Sequence, residues 1–340
     1  MDEKRERMLK STITQSNINT FAVSPCFSKE KASLVRPFVE LILQKRVSGI
    51  ITDFRSHKRG NDYSKMTEFV AQNSLGRNRY KDVGCLDNNR VILQMGPVAY
   101  IHANYVSTPN NSKKFICTQG PMDSTCADFW YMILQENVNA ILMLCNYIET
   151  GATKCAQYIP IEVGQSLKFG NDQEITVTAK LIETYKFPFK TNVRIQITVC
   201  EIQLGSRTHT CAQYHWLNWP DRGVPEADMV PIHLLKQLEN EANGTPIVVH
   251  CSAGIGRSGT IILLQVALEI IRIGQRLNPL DHYMTIIRQQ RNNSVQTEHQ
   301  YLYVHQVLLF YFKQKGYLDP AILSRLEQFK KDYLKVTTGF

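Results

Sequence analysis

The chain has 340 residues, 43% of them apolar and 20% charged, and a formal net charge of +9; this is the balance of a soluble globular protein with a full core and excludes a chain disordered throughout. The positive excess favours acidic or phosphorylated partners, but lysines and arginines are scattered and no nucleic-acid motif accompanies them, which argues against nucleic acid. Nine cysteines at irregular spacing form neither a disulfide framework nor a zinc site, and no apolar stretch reaches spanning length, so a cytoplasmic protein with no membrane span, metal or cofactor is expected.

In chain order, residues 1–31 mix Ser, Thr, Asn and charge without periodicity and read as a mobile arm. Leu34, Phe38, Leu41 and Ile42 recur at helical spacing, with Pro37 obliging the helix to start near it and Gly49 as a stop. Asp62 is a candidate cap for a second helix through Met66, Phe69 and Val70, and Gly76 to Val83 is a polar loop. Phe129, Trp130, Ile133 and Leu134 give the buried stripe of a helix from Ser124 to Asn137. Ala140 to Leu144 is continuously apolar, a buried central strand.

From Ile175 to Trp216 the chain alternates at period two in three runs, with turns near Pro188 and Gly205. Val193, Ile195, Ile197 and Val199 share one face, then Cys200, Ile202 and Leu204 the other, and this phase change predicts a bulge or bend near Val199 to Glu201. Trp219-Pro220-Asp221 follows, closed by Gly223 and Pro225, with Arg222 adding positive charge beside the carboxylate. By itself this is an ordinary turn.

Next comes the stretch with the most chemistry in it. Ile247, Val248 and Val249 lead through His250 to Cys251, and a loop of small residues then runs through Arg257 into the apolar helical stretch Ile261 to Ile273. Five residues separate Cys251 from Arg257, and Ala253, Gly254 and Gly256 are small enough for the backbone to curl with its N–H groups inward. Such a nest at a helix N-terminus binds a tetrahedral oxyanion, and the same groups should stabilise a thiolate at Cys251. Arg257 supplies a planar two-pronged donor that lysine cannot reproduce.

The segment His250 to Gly259 resembles the phosphate loop HCSAGxGRSG of the catalytic domain of protein tyrosine phosphatases, cysteine-based, tyrosine-specific and of the non-receptor kind, and fits it without departure. The resemblance covers residues 32–315 and implies one α/β domain with a highly twisted mixed β-sheet flanked by α-helices, leaving residues 316–340 as an amphipathic helical extension. It implies that Cys251 is the nucleophile, that Arg257 binds phosphate with Ser252, Ala253, Gly254, Ile255 and Gly256, and that Ser258 stabilises the departing thiolate, with His250 supporting the cysteine.

Other segments match in family order. Asn78 to Val83 resembles the N-R-Y-x-D-[IV] loop, whose tyrosine walls the pocket and whose aspartate holds the substrate backbone, roles implied for Tyr80 and Asp82. Glu149 to Tyr158 resembles E-x-G-x-x-K-C-x-x-Y, implying that Glu149 orients Arg257 and Lys154 lies near the acid loop, with Cys155 as packing. Trp219 to Asp221 resembles the acid loop, so Asp221 would protonate the leaving oxygen. Gln296 to Tyr301 resembles Q-T-x-x-Q-Y, where Gln296 would position water and Gln300 assist. Arg288 and Arg291 would lie near the rim, and Asn293 stands where glycine opens a second phosphotyrosine pocket in some members, so that pocket is expected to be restricted. Ala99 and His102 depart from the usual D-Y-I-N-A-S/N and bear on the support of the neighbouring loop; His102 reads as a satisfied structural histidine.

The resemblance implies hydrolysis of phosphotyrosine in proteins without metal or cofactor, with tyrosine-phosphorylated proteins as partners; it is silent on oligomeric state. A phosphotyrosine-binding pseudophosphatase is the rival from another class, against which the intact Cys251, Arg257, Asp221 and Gln296 speak. A dual-specificity or phosphoinositide phosphatase is disfavoured by the Tyr80 loop, which deepens the pocket.

Overall fold

The computed structural model describes residues 25–171, 173–221 and 223–338. The expected N-terminal arm as far as residue 24, and Arg222, lie outside them. Eight α-helices carry labels below: α1 (Pro25–Ser56), α2 (Thr67–Gln72), α3 (Cys126–Gln135), α4 (Val230–Ala242), α5 (Gly256–Arg272), α6 (Leu280–Arg288), α7 (Glu298–Gln314) and α8 (Leu323–Thr337). The strands are β1 (Arg90–Ile92), β2 (Tyr100–Thr108), β3 (Asn111–Thr118), β4 (Ala140–Met143), β5 (Ile148–Glu149), β6 (Ala152–Thr153), β7 (Ser166–Phe169), β8 (Ile175–Thr184), β9 (Ile195–Leu204), β10 (Arg207–Trp216) and β11 (Ile247–His250).

Nine strands among the described residues make one mixed sheet in the order β1-β2-β3-β11-β4-β10-β9-β8-β7, and β5 and β6 form a separate hairpin. The middle of the sheet is parallel: β11 pairs with β3 and with β4, and β4 with β10, all in the same direction. The flanks are antiparallel. Parallel strands covered on both faces read as unbroken apolar runs, and every residue of β4 and β11 is buried. Helix α4 packs on β4 and β11, and α5 on β11 and β2, giving the expected α/β architecture. In this topology the carboxyl ends of β3, β11 and β4 open on one crevice, the usual place for a ligand in an α/β sheet.

Four local expectations need correction. The arm predicted through residue 31 gives way to helix at Pro25, and α1 runs through Pro37 and Gly49 to Ser56. Tertiary contacts hold it there: Lys31 is buried and donates to the carbonyls of Ile271 and Arg272 at the C-terminal end of α5, and Val35, Phe38, Val39 and Ile42 form the buried stripe. The helix breaks instead at Arg46, whose φ of 59° and ψ of −179° are conformations that favour glycine. Asp62 caps no long helix; a short 3-10 turn follows it, and Asp87 receives the amides of Thr67 and Glu68 at the start of α2.

The predicted irregularity near Val199 is in the partner strand. Lys180 of β8 is the extra residue, opposite Val199 and Cys200, while β9 pairs regularly with β10. Strand β9 hides both faces around this point, from Ile197 to Cys200, so its change of apolar phase needs no bulge of its own. At the C-terminal end, Asp319 caps the turn before α8, whose Leu326, Phe329 and Tyr333 are buried against the domain as the amphipathic pattern requires.

Candidate active site

Strand β11 delivers Cys251 to the crevice because its apolar residues hold it between β3 and β4 up to His250. The chain then turns through residues 252–255 into α5. Gly254 has φ +68°, and a Cβ there would lie 2.1 Å from the Thr118 carbonyl oxygen, so no other residue fits the turn. Its amide donates to Cys251 Sγ at 3.3 Å, and the cysteine is 5% exposed, at the floor of the crevice. The Ser252 carbonyl accepts from the Gly120 amide, and the carbonyls of Ala253 and Gly254 accept from Arg291. With these carbonyls anchored outside the loop, its amides are available to an anion above the sulfur.

Arg257, in the first turn of α5, is nearly buried. Nη1 donates to the Leu144 carbonyl at 2.6 Å and to Glu149 Oε1 at 2.7 Å, and Nη2 to Glu149 Oε2 at 2.7 Å. The fork needs Glu149 in one place, and the β5–β6 hairpin supplies it by turning through Thr150 and Gly151, both at positive φ. Burial works against the charge on Arg257; the hydrogen bonds and charge of Glu149, together with Cys251, more than offset it and hold the guanidinium above its ordinary value.

Asp221 comes in from the loop after β10. Its Oδ1 accepts from Arg257 Nη2 at 3.0 Å, and its Oδ2 lies 3.7 Å from Lys154 Nζ and 3.5 Å from Thr150 Oγ1. The loop is therefore folded in over the crevice. Trp219 anchors it: the ring is buried, packs edge-on against Trp216 at 4.8 Å and Tyr303 at 5.6 Å, and its Nε1 donates to the Gly223 carbonyl.

The wall on the other side is Tyr80. Its hydroxyl lies 2.8 Å from Ser252 Oγ, which donates to the Lys154 carbonyl, so the tyrosine is the donor. Asp82 is exposed at the rim, and its carbonyl accepts from Asn61. The two glutamines approach from the start of α7. A Cβ added at Gly256 would lie 2.9 Å from Gln296 Oε1 and 3.0 Å from Gln300 Nε2, which puts both side-chain ends beside the loop. Gln300 also closes a capping box with Thr297, its Oε1 accepting from the amides of Gln296 and Thr297.

Beneath the loop His250 is wholly buried. Its Nε2 lies 2.6 Å from Tyr158 Oη, its Nδ1 faces the Cys251 carbonyl at 3.3 Å, and burial pushes its pKa down to about 3. A carbonyl only accepts, so the proton of the neutral imidazole is on Nδ1 and Nε2 accepts from Tyr158 Oη, which itself accepts from Gln213 Nε2. Ser258 is fully buried, and its hydroxyl has no hydrogen-bond partner among the described residues. Cys155 is buried packing.

The structure thus brings Arg257, Glu149, Asp221 and Lys154 to one cluster and Tyr80 and Ser252 to another beside Cys251, whereas Ser258 and the Asp82 carboxylate make no hydrogen bond there among the described residues, and one expectation needs correction. Arg288 and Arg291 do not line the rim. Arg288 spends its donors on the carbonyls of Ser294, His57 and Val295, and Arg291 is fully buried under the loop. Sequence reasoning missed two contributors. Tyr158 was visible as the last residue of the hairpin motif, but nothing in the motif pairs it with His250. Arg291 was hidden because an arginine in a polar turn normally faces water. Asn293, at φ 60°, accepts from the Gly60 amide and donates to Asn61, and Asn292 donates to both, so residues 60–61 are tied across to 292–293.

Known proteins resemble this chain in sequence and in fold. A family model described as protein-tyrosine phosphatase matches residues 74–310. The human receptor-type tyrosine-protein phosphatase zeta is 37% identical over 247 residues, covering 68% of this chain and 10% of that protein. Human tyrosine-protein phosphatase non-receptor type 9 is 31% identical over 311 residues, covering 85% of this chain and 51% of its own length. The chain thus spans between a tenth and about half of these relatives, which are of both receptor and non-receptor types. The solved catalytic domain of human protein tyrosine phosphatase non-receptor type 18 superposes with a TM-score of 0.65 at 26% identity, over 83% of this chain and 99% of that one.

Proposed function

The chain belongs to the protein-tyrosine phosphatase family, and from that premise we propose that it hydrolyses phosphotyrosine in proteins through a cysteinyl-phosphate intermediate, needing neither metal nor cofactor. One observation carries the reading: the Arg257 guanidinium, fixed by Glu149, reaches the Asp221 carboxylate directly over the loop that holds Cys251.

Phosphate enters between the loop amides and Arg257, opening the Arg257–Asp221 contact. Residues Ser252 to Gly256 and Arg257 then carry the charge of the equatorial oxygens, a placement that works hardest as charge develops in the transition state. The Cys251 thiolate attacks phosphorus and the bond to the tyrosyl oxygen breaks. Asp221, protonated, gives that oxygen its proton; a phenolate has pKa near 10, and such general acid catalysis is typically worth ~10²–10⁴-fold. Gln296 and Gln300 place a water, Asp221 takes its proton, and the sulfur–phosphorus bond breaks to return the thiolate and release inorganic phosphate. Ser258 steadies that sulfur and His250 fixes the carbonyl beside it, while Tyr80 and Asp82 set the depth of the pocket so that the shorter phosphoserine falls short.

The eight cysteines described are all free and buried, which suits a reducing compartment, and the cytoplasm is the location we propose. No helix among the described residues is long and apolar enough to cross a membrane. The residues 32–315 form the catalytic unit in this reading.

The assay is direct. Purified protein is offered a phosphotyrosine peptide, a phosphoserine peptide and a phosphoinositide without added metal, beside Cys251→Ser and Asp221→Ala. Phosphate release is expected from the first only, none from Cys251→Ser, and stable substrate capture by Asp221→Ala. Binding without release by the wild type would replace hydrolysis with capture, and release from the lipid would replace the substrate class.

A further inference from the structure

His102 sits in β2 beneath both halves of the pocket and is 2% exposed. Its Nδ1 lies 3.0 Å from Arg291 Nη2 and its Nε2 lies 2.8 Å from the Val83 carbonyl oxygen. A guanidinium only donates, so Nδ1 accepts; the single imidazole proton is therefore on Nε2 and goes to Val83. Burial, reinforced by the Arg291 charge, pushes the pKa down to about 3, so the imidazole stays neutral and keeps this tautomer.

Both partners lead to the site. Arg291 Nε donates to the Gly254 carbonyl at 3.0 Å and Nη2 to that of Ala253 at 3.2 Å, so the same guanidinium braces the phosphate loop. Asn104 Oδ1 accepts from Nη1 at 2.9 Å and fixes the plane from the side. Val83 is the residue after Asp82 and third after Tyr80, and its amide donates to the Tyr80 carbonyl, closing the turn. The Phe69 ring packs edge-on against the imidazole at 5.7 Å and keeps it from turning.

We infer that His102 is a positioning residue that ties the Tyr80–Asp82 wall to the phosphate loop through Arg291, fixing the height of the wall above the sulfur and with it the preference for an aryl phosphate. The inference rests on the reading of the crevice as a phosphotyrosine pocket. It separates two contacts that one side chain makes. The Oδ1 of an asparagine can stand where Nδ1 stands, whereas nothing in asparagine extends as far as Nε2. His102→Asn thus keeps the bond to Arg291 and cuts the tether to Val83; His102→Ala cuts both.

The test compares two probes on wild type, His102→Asn and His102→Ala. Inorganic phosphate, read as a competitive inhibition constant, reports the cradle alone, and a phosphotyrosine peptide reports cradle and wall together. For His102→Asn, phosphate binding is expected to stay within about twofold while KM for the peptide rises about three- to tenfold with kcat little changed, the size of one hydrogen bond lost. His102→Ala should weaken both probes. A His102→Asn protein whose peptide KM stays at the wild-type value would overturn the tether, as would one that loses phosphate and peptide affinity in equal proportion. Should the wild type bind peptide without turning it over, the hydrolytic reading fails separately, and the same comparison is made with peptide dissociation constants from calorimetry.

Discussion

At the scale of single residues the site turns on one buried ion pair. Arg257 and Glu149 have side chains only 7% and 5% exposed, and a buried charge tolerates this only with a well-fitted partner. Replacing Glu149 with Gln keeps the size but turns one accepting oxygen into a donor facing Arg257 Nη1 or Nη2. The loss of a charge-assisted bond is worth about 1.5–3 kcal/mol, which is roughly ten- to hundredfold in affinity. Glu149→Gln should therefore weaken inhibition by inorganic phosphate by that factor. An inhibition constant within twofold of wild type would show that the Leu144 carbonyl and the loop alone fix the guanidinium.

Among elements, the loops that edge the pocket are joined by short polar bridges, and one of them crosses from 60–61 to 292–293. Asn293 holds φ 60° there, a conformation glycine adopts at no steric cost. Asn293→Gly removes the bonds to Gly60 and Asn61 and opens the space beside the pocket without backbone strain. Wild type is expected to bind singly and tandem-phosphorylated peptides equally, and Asn293→Gly to gain a tandem preference, both read by calorimetry; a strong tandem preference in the wild type would contradict the restricted pocket. Such bridges also mark where sequence stopped being informative. The strand, the loop glycines, Cys251 and Arg257 were legible because each residue type there answers one local demand, and the parallel core was legible as unbroken apolar runs. Arg291 and the helix upstream of Pro37 were not, because distant carbonyls on Gly254, Ala253, Ile271 and Arg272 decide them. The Trp219 anchor on Tyr303 depends in the same way on α7 lying under the acid loop.

For the whole molecule the same burial has a consequence in pH. His102 and His250 are pushed down to about 3 and His305, which faces the Tyr301 carbonyl and stacks on Phe38, to about 4, burial leading in each case, from an ordinary 6.5. Each binds a proton when the chain unfolds but not while it is folded. The unfolded state thus binds more protons between these values, and stability rises with pH across the window. Their contribution is fully present above pH 6.5 and is lost as pH falls toward 4 and 3. Each proton is worth about 1.4 kcal/mol per pH unit once the unfolded histidine is fully charged. The carboxyls of Asp128, Asp228 and Glu241, raised by burial, carry the opposite sign and act nearer the carboxylate range. Urea midpoints taken from pH 7 to pH 5 should therefore fall steadily, most steeply below pH 6. His215 and His233 are lowered by burial as well, so His305→Gln, which removes one of five such groups, should flatten that fall by less than about a third; a flat profile for the wild type, or an unchanged slope for the variant, would mean that these imidazoles take up protons in the folded protein.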